Sequence, residues 1–178
     1  MDERAEHPPI GDLARKGGPE AGLKDFQIRI ARDGTWYHEG TPFTRHALVK
    51  LFSTVLRRED DGTFVLATPV ERGRIEVEDA PFIAVEMIAE GEGPAQSLRF
   101  RTNVDDWVTA DRDHPIRVET APGTGEPSPY LLVRDRLEAL IARSVFYDLV
   151  ELAVEEERDG RTILGVWSSG TFFPLGTV

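Results

Sequence analysis

The sequence predicts an α+β fold in which one strand-helix-strand unit occurs twice on antiparallel sheets. Three observations predict it. Short segments alternate apolar and polar residues, two segments carry apolar residues at helical spacing, and the same Asp-Gly turn follows both helical segments at the same distance. The 178 residues suffice for one domain or for two small domains that share an interface.

Residues 1–24 are rich in proline, glycine and charge, which predicts an N-terminal arm or linker. A hairpin is expected next, because apolar residues alternate from Phe26 to Ile30 and an Asp-Gly turn precedes a second β-favouring segment at 35–38. This hairpin begins a predicted N-terminal repeat domain at 25–78.

An amphipathic helix follows the hairpin, with Thr41-Pro42 or Thr44 as its start signal. Its apolar residues have the i, i+3, i+4, i+7, i+8 spacing of one helical face: Leu48, Leu51, Phe52, Val55 and Leu56. The Asp61-Gly62 turn ends this element, and 63–68 is predicted to be the next strand.

The predicted C-terminal α+β domain covers 79–178. Alternation between Arg74 and Arg101 indicates an antiparallel meander, 116–118 a further strand, and the Pro-, Gly- and Ser-rich segment 121–129 a loop.

The second half then repeats the first at a shift of 98 residues, the distance from Asp61-Gly62 to Asp159-Gly160. The same shift brings the five apolar residues of the first helix onto Phe146, Leu149, Val150, Ala153 and Val154. We interpret the match as an internal duplication. Asp135 and Glu138 also have the spacing of a helix capping box, but the repeat favours a hairpin turn at 134–136 and a helix that starts at Ser144.

Composition excludes several classes of function. Asp and Glu total 32 against 21 Lys and Arg, so the net charge is −11, which disfavours nucleic acid and anionic membranes as partners. The closest approach to a basic patch comprises Arg57, Arg58, Arg72 and Arg74. Absent cysteines exclude thiolate catalysis and zinc-thiolate sites. No secretory signal and no membrane-spanning run is found, so a cytoplasmic location is expected.

No motif is specific enough to name a reaction. The glycine- and serine-rich segment at 165–170 is not a nucleophile elbow and is predicted to be a hairpin turn, from which Ser168 and Ser169 are able to donate to a ligand. His38, His46 and His114 lack the spacing of a metal site, so no metal and no cofactor is expected. Trp36, Trp107 and Trp167 lie near turns; each is either a core residue or a stacking platform at the rim of a cleft.

Six segments carry a resemblance to a known family: 36–42 (WYHEGTP), 68–71 (TPVE), 77–82 (VEDAPF), 100–103 (FRTN), 114–118 (HPIRV) and 146–153 (FYDLVELA). From about residue 20 to its end the chain resembles the bacterial domain-of-unknown-function family 1285. The resemblance implies a duplicated α+β fold, a C-terminal half superficially similar to pleckstrin-homology domains, and a small-molecule site, nucleotide-like in its ligand, between the halves and linked to signalling. It implies no established activity.

The leading hypothesis is therefore a non-enzymatic ligand-binding or sensor module whose cleft between the halves accepts a small ring-containing anion. Arg74, His114 and Arg117 are the expected charge partners and Trp36 the expected stacking surface. Three further candidates lie in the matched segments: His38, Glu39 and Asn103. The alternative is a hydrolase or lyase that pairs Glu39 or Glu78 with His38 or His114. A protein-interaction module, which an exposed apolar patch would indicate, is a third possibility.

Overall fold

The computed structural model describes residues 23–178 of the chain. The chain divides into two compact units, unit 1, which ends at Asp79, and unit 2, Ala80–Val178. The predicted arm lies outside the described residues except for its last two, and Lys24 already belongs to the first strand.

Unit 1 contains one six-stranded sheet and one helix. Its elements are β1 (Lys24–Ile30), β2 (Trp36–His38), β3 (Thr41–Pro42), α1 (His46–Ser53), β4 (Leu56–Arg58), β5 (Phe64–Ala67) and β6 (Arg72–Val77). The strand order is β3-β2-β1-β6-β5-β4. All neighbours are antiparallel except β1 and β6, which pair in parallel.

The core of unit 1 is formed where alternate strand residues meet α1. Ile28 and Ile30 of β1 and Ile75 of β6 are buried at alternate positions, whereas in β5 the consecutive residues Val65 and Leu66 are both buried. Phe52 supplies the buried aromatic side chain of α1. The confirmed hairpin between β1 and β2 aligns the indole of Trp36 with this core.

Unit 2 contains a six-stranded sheet, a three-stranded sheet, one helix and a short 3-10 helix at Gly93–Ala95. Its other elements are β7 (Phe82–Glu90), β8 (Ser97–Thr102), β9 (Trp107–Thr109), β10 (Ile116–Thr120), β11 (Pro127–Arg134), β12 (Leu137–Ile141), α2 (Arg143–Glu151), β13 (Val154–Arg158), β14 (Arg161–Ser168) and β15 (Thr171–Thr177). The sheet orders are β10-β11-β12-β7-β8-β9 and β13-β14-β15. Only β12 and β7 pair in parallel.

The end of β14 connects the two sheets of unit 2. The buried hydroxyl of Ser168 accepts a hydrogen bond from the Leu98 N–H at 2.9 Å and donates to the Ala110 carbonyl at 2.7 Å. Beside it, Gln96 Nε2 donates to the Trp167 carbonyl at 3.0 Å. Ser168 is therefore a structural residue and is not exposed for ligand binding.

The predicted fold class is wrong. The chain is mostly β, with three sheets and two α-helices in its described part, and it is not an α+β protein built from strand-helix-strand repeats. In unit 1 the strands on either side of α1, β3 and β4, form opposite edges of one sheet. In unit 2 the strands on either side of α2 belong to different sheets, because β12 lies inside the six-stranded sheet and β13 in the three-stranded one.

Apolar periodicity and an Asp-Gly turn are local features, whereas sheet membership depends on pairing between distant segments. The helices and turns therefore recur at the predicted spacing without a repeated fold. Nothing in the topology supports the pleckstrin-homology likeness either, since unit 2 ends in the strands β13 to β15.

Two local predictions about strands have clear outcomes. The hairpin turn at 134–136 is confirmed: Asp135 and Arg136 have φ of 41° and 45°, which connects β11 directly to β12, and no helix starts at Asp135. The meander predicted between Arg74 and Arg101 is wrong at its start, because β6 pairs with β1 and β5 in unit 1 while β7, β8 and β9 form the meander of unit 2.

Candidate functional site

The seven candidate ligand-binding residues lie in both units. Unit 1 contains Trp36, His38, Glu39 and Arg74, and unit 2 contains Asn103, His114 and Arg117. Each group has its own surroundings within its unit.

Trp36 is a core residue of unit 1, only 2% exposed. One face of its indole lies against the Phe52 ring, stacked at 6.4 Å between centroids, and the Phe43 ring meets it edge-on at 6.2 Å. Its Nε1 is buried and has no hydrogen-bond partner among the described residues. The aromatic contacts leave no open ring surface of the size that a stacked ligand needs.

His38 and Glu39 lie next to each other at the β2–β3 hairpin. His38 is half-buried at the end of β2 and pairs with Ile28 of β1 and Thr41 of β3. Glu39 is exposed, has φ of 49°, and donates its N–H to the Gln27 carbonyl at 2.9 Å. This left-handed conformation is typical of the first residue of a tight hairpin turn, so the backbone of Glu39 has a structural role.

Arg74 has a second arginine as its neighbour on one face of the unit 1 sheet. Arg57 of β4 pairs with Val65 of β5, which in turn pairs with Arg74 of β6, so the three side chains project from the same face. Two strand spacings of about 4.8 Å separate the Cα atoms of the two arginines, a total of about 10 Å. Both are exposed, and within residues 23–178 neither forms an ion pair.

The other arginines of this region are engaged. Arg72 forms an ion pair with Glu59, and the guanidinium of Arg58 lies over the Phe64 ring, 5.2 Å from its centroid. Asp25 of β1 pairs with Arg74 across the sheet, but its Oδ1 accepts the Gln27 N–H at 2.8 Å and forms no ion pair. Arg57 and Arg74 therefore keep their positive charge uncompensated by a carboxylate contact.

Asn103 stabilises the beginning of β7. Its Oδ1 accepts the Ile83 N–H at 3.0 Å, and its own N–H donates to the Ile83 carbonyl at 2.8 Å. The Oδ1 of Asn103 is therefore occupied by the backbone of β7.

His114 closes a tight turn between β9 and β10. Its Nδ1 lies 2.9 Å from Asp111 Oδ1, which also accepts the backbone N–H groups of Asp113 and His114. Partial burial raises the pKa of Asp111, but the hydrogen bonds from His114 and Asp113 outweigh it, so the pKa of this carboxyl is lower than its ordinary value. Asp111 therefore fixes His114 as a turn residue.

Arg117 is neutralised by its neighbours on the sheet of unit 2. Its guanidinium donates to both carboxylate oxygens of Glu138, at 2.7 and 2.9 Å, and also to Glu119. It lies over the Tyr130 ring, 4.5 Å from the centroid. The hydrogen bonds to Glu138, followed by those to Glu119, raise the pKa of Arg117, so its charge is permanent and already paired.

The carboxylate-histidine pairs expected of a hydrolase are not hydrogen-bonded. Within residues 23–178 no hydrogen bond joins His38 or His114 to Glu39 or Glu78. Glu78 instead accepts the backbone N–H of Arg32 at 2.9 Å and the guanidinium of Arg29, and these two hydrogen bonds lower its pKa. The described part of the chain also contains no group of three His, Asp or Glu side chains able to hold a metal ion.

One surface was not predicted, because the duplication places Val150 and Val154 on the apolar face of a helix and assigns no role to Tyr147. The predicted duplication aligns Val150 and Val154 with Phe52 and Leu56, which are buried in unit 1. In unit 2 these valines are 38% and 42% exposed, and Tyr147 is 59% exposed. We call Tyr147, Val150 and Val154 the α2 apolar face.

The geometry defines a mostly β protein of two units, and none of the helices in its described part is long and apolar enough to cross a membrane. Two family models match it: the N-terminal domain of DUF1285, a domain of unknown function, over residues 18–80, and the C-terminal domain of the DUF1285 proteins of unknown function over residues 81–175. The chain therefore belongs to the DUF1285 family.

Two solved structures of this family are similar to the chain. A DUF1285 family protein from Silicibacter pomeroyi DSS-3 is 46% identical, with a TM-score of 0.82 and coverage of 97% of both chains. Another from Shewanella baltica OS155 is 27% identical, with a TM-score of 0.54 and coverage of 70% of this chain and 91% of the other. No curated protein matches the chain.

Proposed function

We propose that this protein is a non-enzymatic ligand-binding module, and that its ligand is a small anion bound by Arg57 and Arg74 on the sheet of unit 1. The observation that carries the proposal is that Arg57 and Arg74 project from one sheet face on either side of Val65 and have no carboxylate partner among the described residues. Other exposed arginines, among them Arg72, Arg117 and Arg143, form ion pairs with glutamates. An uncompensated pair suits an incoming anion.

The chemistry of guanidinium favours phosphate and carboxylate groups. Each arginine presents a planar fork of N–H donors that matches two oxygens of such a group, and two forks from the strands on either side of β5 are able to hold one polyoxygen anion. A nucleotide-like ligand would bind through its phosphates. Because Trp36 is buried, its base would not stack on that indole.

Charge around the pair argues for a small ligand. Asp25 projects beside Arg74 from β1, and Glu76 follows Arg74 on the same face of β6. Together with the net charge of −11, these carboxylates would repel a long polyanion such as nucleic acid, while a compact anion would contact only the two arginines.

Thermal unfolding with inorganic phosphate, pyrophosphate and a set of mononucleotides tests the proposal. The double variant Arg57→Gln/Arg74→Gln removes the proposed site, and Arg112→Gln removes an exposed arginine of unit 2 as a matched control. Ligand at about 100 times its Kd stabilises the folded protein by about 2.7 kcal/mol. Stabilisation of the wild type and Arg112→Gln but not of the double variant is expected. Equal stabilisation of all three proteins, or of none, would overturn the proposal.

A further inference from the structure

We propose that the α2 apolar face, Tyr147, Val150 and Val154, docks a Lys/Arg-rich amphipathic helix of a partner protein. This interaction surface lies in unit 2 and is independent of the anion site proposed on unit 1.

The first argument is that α2 already packs onto unit 2 without these residues. Its buried side chains are Val145 and Leu149, and the helix lies against β7 and β14. Tyr147 and Val150 are one turn apart on the outer side, and Val154 follows where β13 begins. Tyr147 and Val150 are therefore not used to attach the helix.

The second argument is the charge around this face. Between Tyr147 and Arg158 every ionisable side chain is acidic: Asp148, Glu151, Glu155, Glu156 and Glu157. In β13, Glu156 and Arg158 share the strand face of Val154, whereas Glu155 and Glu157 project from the other face. Within the described chain, none of these carboxylates forms an ion pair. Arg158, the next cation, lies over the Phe172 ring at 4.6 Å from its centroid. A partner with lysines or arginines beside apolar residues would complement both the charge and the apolar contact.

The third argument is that the acidic residues are placed where they destabilise their own helix. Asp148 and Glu151 lie in the last turn of α2, which contains no basic residue. The C-terminus of a helix carries partial negative charge, so carboxylates there are unfavourable by about 0.3 to 1 kcal/mol each. A local arrangement that opposes stability is typical of a surface with a binding role.

The same charges argue against other occupants. A second copy of the chain would bring an identical acidic surface to a symmetric contact, and the two sets of carboxylates would repel each other. An anionic membrane surface would be repelled for the same reason.

Binding of three designed helical peptides tests the inference: a Leu/Lys amphipathic helix, the same helix with Glu in place of Lys, and a scrambled Leu/Lys sequence without an apolar face. The full-length protein is compared with Tyr147→Ser/Val150→Ser, with Glu151→Lys/Glu156→Lys, and with Leu51→Ser, which changes a 50% exposed apolar residue of α1 as the control. Circular dichroism verifies that every variant is folded.

The amphipathic Lys peptide is expected to bind the wild type and Leu51→Ser alike, and at least about tenfold more weakly to each of the other two variants. Equal binding of the scrambled or the Glu peptide would overturn the inference. So would a wild type that binds no peptide, or unchanged affinity in both double variants. Sedimentation that shows a wild-type dimer, dissociated by Tyr147→Ser/Val150→Ser, would assign the surface to self-association instead.

Discussion

Replacing Ser168 with alanine removes a buried hydroxyl that links the three-stranded sheet of unit 2 to the β8–β9 region of the six-stranded sheet. The Leu98 N–H and the Ala110 carbonyl would each lose the hydrogen-bond partner that Ser168 provides, and both residues are fully buried. A buried polar group without a partner costs about 1 to 3 kcal/mol, so the two together predict a loss of about 2 to 6 kcal/mol in the free energy of unfolding. Single domains have only about 5 to 15 kcal/mol in total.

Urea denaturation followed by circular dichroism measures this loss, and hydrogen exchange of the Leu98 amide locates it. Ser144→Ala is the control, because Ser144 is exposed on α2 and its hydroxyl forms no hydrogen bond in the described structure. Its substitution is expected to change the free energy of unfolding by less than about 0.5 kcal/mol. If Ser168→Ala is no more destabilising than Ser144→Ala, the hydroxyl does not connect the sheets as described.

Gly73→Ala should destabilise unit 1 by about 1 to 3 kcal/mol, because a Cβ there would lie 2.2 Å from the Phe26 ring. Urea denaturation measures the loss, and Gly176→Ala is the control because a Cβ at Gly176 would meet open space. Glu39→Asn should stabilise the β2–β3 hairpin by several tenths of a kcal/mol, since asparagine before the following glycine favours the observed turn; a lower melting temperature would assign the Glu39 side chain a stabilising role. Asp111 has a lower pKa in the folded protein than in the unfolded chain, so its carboxylate stabilises at neutral pH and this contribution is lost as the pH falls below its ordinary value of 3.8. The difference in urea midpoint between wild type and Asp111→Asn should therefore shrink toward low pH, and a constant difference would contradict the assignment.

The elements that the sequence patterns predict correctly are those determined by interactions between residues close together in the chain. Alternation and an Asp-Gly turn were sufficient for the β1–β2 hairpin, and the hairpin turn at Asp135 was correctly preferred to a capping box. Both helices also begin where apolar residues have helical spacing, but α1 ends at Ser53, so Leu56 of the predicted helical face lies in β4. In each case the deciding interactions span only a few residues.

Sheet membership and the buried side of α2 were not predictable from those patterns. The parallel pairs β1–β6 and β7–β12 join segments that are far apart in the chain, and no turn signal marks them. The segment around α2 has two apolar stripes, and only its packing against β7 and β14 selects Val145 and Leu149 over Val150 for burial. The predicted internal duplication is wrong because both sheet membership and helix packing differ between the two units.

The proposed anion site also depends on strand pairing that the sequence patterns do not predict. The sequence indicates a thin cluster of arginines that includes Arg57 and Arg74, but their adjacency depends on the register that both share with Val65. Trp36 was expected at a cleft rim because polar residues flank it in the chain, yet the β1–β2 register directs it toward Phe52.

The parallel pairing of β1 with β6 has a consequence for synthesis of the chain. A ribosome releases β1 first, and its partner Arg72–Val77 emerges only after every other strand of unit 1. Until then the nascent chain presents a free backbone edge along β1, which nearby chains are able to pair with. A truncated product that stops before residue 72 keeps that edge permanently, so it should aggregate and require chaperones, whereas one that ends after unit 1 should not.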